Sequence, residues 1–266
     1  MRRAKKVLVW SAVLLLAVLV GARAARNARI ERAMAQLEAT LQRATAANAA
    51  GSAAAAQGHA HHDHGAQPGS GMDAAPGAHV PMDAHMKYTA PRPQSEADRA
   101  RAAQLVEALR RELPQYTDYH AAAAAGYEPF LPQVLLPMYH FTHYGRGLQN
   151  AFQFDPARPT SLLYQRTEAG SLELVGAMYT APRTFTENQL NQRVPLSIAR
   201  WHQHVNICLP PSDQKADADW SKFGPAGAIA TEKACTEARG RWYPVMFGWM
   251  VHVHPFEQLL EHIWRP

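Results

Sequence analysis

The stretch Ser161-Leu162-Leu163-Tyr164-Gln165-Arg166-Thr167-Glu168-Ala169-Gly170-Ser171-Leu172-Glu173-Leu174-Val175-Gly176-Ala177-Met178-Tyr179 decides the fold class. Two runs rich in Leu, Tyr and Val flank Glu168-Ala169-Gly170. A short loop containing glycine between two such runs specifies a β-hairpin, with strands at Ser161–Thr167 and Ser171–Tyr179. Working outward, the aromatic-rich segments Met138–Tyr144 and Ala151–Phe154 read as strands before the hairpin, and Arg200–Cys208 and Val245–Phe256 as strands after it. Thr186–Val194 and Thr231–Arg239 read as short helices opened by threonine caps, the second stopped by Gly240. Upstream, Ser95 with Asp98 forms a capping-box pattern. It is followed by an apolar stripe of Ala102, Leu105, Val106, Leu109 and Leu113, which Pro114 closes. Thr117 is placed to cap a short helix through Ala121–Ala125, with Gly126 as its stop. Helices first and hairpin-linked strands later predict an α+β domain over residues 95–266. Its sheet is mostly antiparallel, either open or barrel-like.

Three segments precede this domain. Residues 1–24 carry Arg2, Arg3, Lys5 and Lys6, then an almost wholly apolar run from Val7 to Ala22. That run predicts an N-terminal membrane helix: a signal anchor, or a signal peptide cut after Ala24 at Ala22-Arg23-Ala24. Arg23, Arg26 and Arg29 favour the anchor, because their side chains reach the headgroup layer by snorkelling. The bulk of the chain then lies outside the cell inner membrane, in the periplasm, held by a single span or released by cleavage. Residues 25–48 read as a stalk helix, with Ile30, Met34, Leu37 and Leu41 at 4-3-4 spacing. That seam is short, so a solvated stalk is expected. Residues 49–94 are a low-complexity linker of Ala, Gly, Pro, His, Met and Asp, expected to be disordered.

The charge distribution excludes one class of function. Nine of the 27 Lys and Arg lie in the first 43 residues, against only Glu31 and Glu38. The remaining 18 bases face 20 acids, so the folded domain is near neutral and lacks the basic face of a nucleic-acid binder. The two cysteines, Cys208 and Cys235, are read as a disulfide suited to an oxidising compartment, worth ~3 kcal/mol in the chain-entropy account. The alternative, cysteine as ligand or nucleophile, lacks a CxxC or a catalytic pattern nearby.

Histidines carry the chemistry. His202 and His204 lie in Trp201-His202-Gln203-His204-Val205-Asn206, and His252 and His254 in Val251-His252-Val253-His254-Pro255-Phe256-Glu257. On a strand, residues i and i+2 share a face, so each HxH pair aims two imidazoles into one volume. Imidazole suits Zn, Cu, Fe and Ni. His140 and His143 are three apart and point to opposite faces of a regular strand, so one of them, His140, is taken as a further ligand. Glu257 and Tyr139 are candidates for supporting hydrogen bonds or proton transfer. In the linker, His59, His61, His62, His64 and His85, with Met82 and Met86, have the composition of a metal-capturing tract. Thioethers select Cu(I), which makes copper the first choice of metal and zinc the second.

Several stretches resemble a family of exported bacterial proteins of unassigned function. They are Tyr139-His140-Phe141-Thr142, Arg158-Pro159-Thr160-Ser161-Leu162-Leu163-Tyr164, Met178-Tyr179-Thr180-Ala181-Pro182, Trp201-His202-Gln203-His204-Val205-Asn206 and Gly248-Trp249-Met250-Val251-His252. The resemblance implies export and no particular activity. Met82-Asp83-Ala84-His85-Met86 resembles the Met/His/Asp segments of exported bacterial copper-resistance proteins. His252-Val253-His254-Pro255-Phe256-Glu257 resembles the HxH-then-Glu metal motif of cupins, with a shorter gap before Glu and without the cupin glycines.

Three functions follow. The first is a membrane-tethered extracytoplasmic protein that handles copper or zinc. The second is a metal-dependent enzyme with a three-His open site. The third is an envelope binding protein without metal, its histidines serving as packing. The sequence holds no G-x-S-x-G, P-loop, Rossmann fingerprint or HExxH.

Overall fold

In the computed structural model the backbone is described for residues 2–57, 82–214 and 218–265, and the side chains for 18, 20–49, 84–214 and 218–265. The elements run α1 (Arg2–Gln57), β1 (Met86–Tyr88), α2 (Glu96–Glu112), α3 (Tyr119–Ala124), β2 (Glu128–Pro129), β3 (Met138–Thr142), α4 (Tyr144–Phe152), β4 (Ser161–Arg166), β5 (Leu172–Ala181), α5 (Glu187–Arg193), β6 (His202–Leu209), α6 (Glu232–Glu237), β7 (Arg241–Val253) and α7 (Leu260–Ile263). The strands form one sheet in the order β1-β6-β7-β5-β4-β3-β2, and every pairing is antiparallel. The α+β class and the hairpin β4–β5 are as expected. The barrel-like option is not: the sheet is open, with β1 and β2 at its two edges.

The sheet is nevertheless strongly curled. Its register breaks twice, between Leu163 and Tyr164 against β5, and between His202 and His204 against β7. In the second break, a step of two residues on β6, from His202 to His204, spans a step of four on β7, from Met250 to Met246. Phe247 there has a positive φ of 65°, and at Gly248 an added Cβ would run into the Ala181 carbonyl oxygen. Bulges and closely approached glycines bend strands in this way. The result can be measured. β3 and β7 are three places apart, about 14 Å on a flat sheet, yet the Nε2 atoms of His140 and His252 lie 3.4 Å apart. The rings of Phe130 and Phe247 also meet across the curl, at 5.7 Å.

Alternation along the strands sorts side chains onto two faces. One face carries Tyr139, Phe141, Leu162, Tyr164, Tyr179, Val251 and Val253, all within the main core. The helices cover this face. Ser95 caps α2, its side chain accepting from the Asp98 backbone N–H, and α2 buries Ala102, Leu105, Val106 and Leu109. The N-cap of α3 is Asp118 and not Thr117; Thr117 ends the preceding 3-10 turn. The segment Ala151–Phe154, expected as a strand, is not one: Ala151 and Phe152 end α4, Gln153 is its C-cap, and His143 caps the other end of the helix. Tyr144, Leu148 and Phe152 there have helical i, i+4 spacing, which a count of aromatic residues does not distinguish from strand.

Two boundaries move. The helix expected as a solvated stalk packs on the domain: Ile30, Met34, Leu37 and Leu41 are buried in the main core, Leu37 completely. Burying a leucine fully stabilises by roughly 1.5–3 kcal/mol, enough to dock a short apolar seam. The last part of the expected disordered linker is ordered as well. Residues 82–85 form a 3-10 turn, and Met86–Tyr88 pairs with His202–His204 as edge strand β1. Among the described residues no helix is long and apolar enough to cross a membrane. Most of the apolar run Val7–Ala22 lies outside the described side chains, as do His59, His61, His62, His64, His79 and Met72. The expected disulfide is present: Cys208 on β6 is bonded to Cys235 on α6, closing a separation of 27 residues.

Candidate metal centre

The second face of the sheet carries the imidazoles. His140 on β3 alternates with the core residues Tyr139 and Phe141 and so points the other way. His252 on β7 lies between the core residues Val251 and Val253. His202 and His204 on β6 flank Gln203. The curl brings these three strands together. Ring centroids are 5.4 Å apart for His140–His252, 5.0 Å for His202–His252 and 5.7 Å for His202–His204. The Nε2 atoms of His140 and His252 are 3.4 Å apart.

These spacings suit a metal. With metal–nitrogen bonds of about 2.0–2.1 Å, a tetrahedral site places neighbouring ligand nitrogens about 3.3–3.4 Å apart and ring centroids about 5 Å apart. As the rings stand, their nitrogens do not all converge: among the described residues no group of three or more His, Cys, Asp or Glu forms a ready ligand set. The imidazole χ2 torsion is broad, so the rings can reorient without a change of backbone.

Burial keeps the imidazoles neutral. It pushes His140 down to about 4, with the His204 ring adding to the effect. Burial takes His202 down to about 3, helped by His204 and His140, and His204 to about 4, helped by His85. His252 is held well below its ordinary value by burial first, then by the other rings around it. Neutral imidazole is the metal-ligating form. Several of these nitrogens also lack partners. Both ring nitrogens of His202, Nδ1 of His204 and Nδ1 of His85 are buried without a hydrogen bond. Leaving such a group unpaired costs about 1–3 kcal/mol each, so it calls for a physical explanation.

His85 is the residue whose position the sequence misplaced. Expected as part of a flexible capturing tract, it is buried beside His204. Its Nε2–H donates to the Gly227 carbonyl at 2.7 Å, which leaves Nδ1 with its lone pair. A ring that donates one N–H to a backbone carbonyl has the orientation typical of metal-ligating histidine. Asn206, at a φ of 57°, donates from its side chain to the Ala84 carbonyl at 2.9 Å and holds this segment against β6. The period-2 pairing of Met86–Tyr88 with β6 places His85 there, and that is a non-local fact.

Comparison with protein families, curated proteins and solved structures found no match. The geometry therefore stands by itself, and it separates the remaining expected site residues. His254 lies just beyond β7, 6.5 Å from His252 by ring centroid, and packs against Gly176. Burial lowers its pKa and Arg265 adds to this, while the Val175 backbone and Glu257 act the other way. Glu257 is not hydrogen-bonded to a cluster imidazole; it pairs with Arg265 at 3.2 Å and lies 3.9 Å from His262. Tyr139 is excluded from the site by strand alternation. Its hydroxyl is on the core face, donating to Val134 O at 2.9 Å and accepting from Leu136 N at 3.2 Å. His143 caps α4 through Nδ1, which accepts from the Arg146 N–H at 3.1 Å. The segment that holds Met82 and Met86 reaches the site through His85 and through β1, where Met86 is the register partner of His204.

Proposed function

We propose that this is an exported, membrane-tethered metal-handling protein that holds one transition-metal ion among His140, His202, His204 and His252. The observation that carries this reading is the clustering of four neutral, largely desolvated imidazoles from three strands on one face of a curled sheet. Nothing in local packing requires it: the same strands bury a conventional aromatic core on their other face. A bound ion would satisfy the buried nitrogens of His202 and His204. Residual exposure at His140, His204 and His252 leaves a route for the ion to enter.

Export is supported by the basic-then-apolar N-terminus and by the Cys208–Cys235 disulfide, which belongs in an oxidising compartment. Four of the stretches that resemble exported bacterial proteins pass through or beside the site: those at Tyr139–Thr142, Met178–Pro182, Trp201–Asn206 and Gly248–His252. The linker histidines would collect ions near the folded site.

The test uses the full chain in mild detergent, since α1 and β1 are part of the folded unit. His59, His61, His62 and His64 are replaced by Ser in every arm, so that the linker does not mask the site. After loading with Zn(II) or Cu(II) and desalting, about one equivalent of metal should remain on this background. It should be lost in the His140→Ala/His252→Ala variant. Equal metal content in the two would reject the site.

A further inference from the structure

The imidazole face is also a methionine face. Met178 is the direct register partner of His252 across β5–β7, and Met250 the partner of His202 across β6–β7. Met86 and Met246 are both register partners of His204, from the two strands flanking β6. Met138 lies two residues from His140 on β3, on the same face. Five of the nine methionines in the chain are thus neighbours of a cluster histidine. The main core, by contrast, contains Met34 and no other methionine among its buried residues. Methionine as general filler for irregular gaps would be spread over both faces; here it is segregated to one.

Opposed residues on adjacent antiparallel strands have Cβ atoms about 4.5–5.5 Å apart, within reach of an unbranched thioether. Met178 and Met250 are only 6% exposed and pack with Leu163, so their sulfurs are held on the imidazole side away from bulk water. Among the described residues no carboxylate belongs to the cluster. The chemistry on offer is neutral nitrogen plus thioether sulfur in an apolar surround, a soft, uncharged donor set.

We propose that the ion this site is built for is cuprous copper, held by imidazoles together with the thioethers of Met178 and Met250. This rests on the imidazole cluster being a metal site, and it adds which oxidation state the site selects. Thioethers favour Cu(I) and contribute little to Zn(II), whose ligands are nitrogen, oxygen and thiolate. A low net charge on the ligands likewise suits a monovalent ion better than a divalent one.

The experiment uses the full chain with the linker histidines replaced as above, under argon with ascorbate. Cu(I) is titrated in competition with bicinchoninate, and Zn(II) separately against a chromogenic chelator. The double variant Met178→Leu/Met250→Leu, close in volume to the parent, should bind Cu(I) at least about tenfold more weakly. Its Zn(II) affinity should stay within about threefold of the parent. X-ray absorption on the Cu(I)-loaded parent, which needs no variant to fold, should show sulfur in the first coordination sphere at about 2.3 Å. Nitrogen-only coordination with unchanged Cu(I) affinity in the variant overturns the cuprous assignment and leaves the imidazole site standing. Failure of the parent to retain either metal overturns both.

Discussion

The two faces of this sheet are built from alternate residues of the same strands, and they are opposite in character. On one, Tyr139, Phe141, Tyr164, Tyr179 and Trp201 are fully buried under the helices. Three of the tyrosine hydroxyls find backbone carbonyls: Tyr139 that of Val134, Tyr164 that of Tyr116 and Tyr179 that of Pro156. On the other, imidazoles and thioethers are gathered, and several buried nitrogens have no partner. The core face also holds unpaired groups, the indole nitrogens of Trp201, Trp249 and Trp264, but these are isolated N–H donors. On the imidazole face the unpaired nitrogens fall on neighbouring rings, those of His85, His202 and His204, and functional sites are where such clustered inconsistencies are expected. Strand alternation thus separates the packed core from the imidazole cluster by one residue.

The sharpest way to break this comparison is to damage each face in turn. Trp201→Ala removes a fully buried ring from the core face. It should cost about 3–5 kcal/mol, read as the shift in urea midpoint of the metal-free protein. Loss of metal affinity without loss of stability would contradict the assignment of this residue to the core. Metal should act in the opposite sense on the other face. At a free ion concentration about a thousandfold above Kd, the stability gain should be about 4 kcal/mol. A His202→Ala/His252→Ala variant should show little of it in the same thermal melt.

Acid should separate the faces as well. The cluster imidazoles have folded pKa values below their unfolded value, His140 and His204 at about 4. Between roughly pH 6.5 and those values the unfolded chain binds more protons than the folded one. Stability of the metal-free protein is therefore intact above about pH 6.5 and falls as pH drops toward 4. A His140→Leu/His202→Leu variant should have a flatter stability profile over that window; an identical slope would mean these rings are not the groups responsible. At neutral pH, His202→Leu should stabilise the metal-free protein by about 1 kcal/mol, because it removes two buried unpaired nitrogens. The smallest effect is expected from Tyr139→Phe. It should cost about 1 kcal/mol through lost hydrogen bonds and leave metal affinity unchanged.

Much of the fold was legible from the chain. The hairpin β4–β5, the caps at Ser95, Thr186 and Thr231, the Cys208–Cys235 pair and the strands carrying His202, His204 and His252 were all signalled by local pattern. The misreadings were of two kinds. Ala151–Phe154 reads as a strand because a short aromatic run suits either period, whereas Ala151 and Phe152 end α4. The α1 seam and β1 were discounted because what makes them ordered is a partner distant in sequence: the core for Leu37, and β6 for Met86–Tyr88.

What the sequence by itself determined is which side chains share a face. The strand period of two places His202 with His204 and separates His140 from Tyr139, because that period is a property of backbone geometry. What only the tertiary structure decided is which faces meet. His140 and His252 come within 3.4 Å because bulges at β5 and β7 curl a sheet whose order puts β3 and β7 three strands apart. Strand order, register and curvature are settled by non-local pairing and packing, and no local pattern around either histidine encodes them.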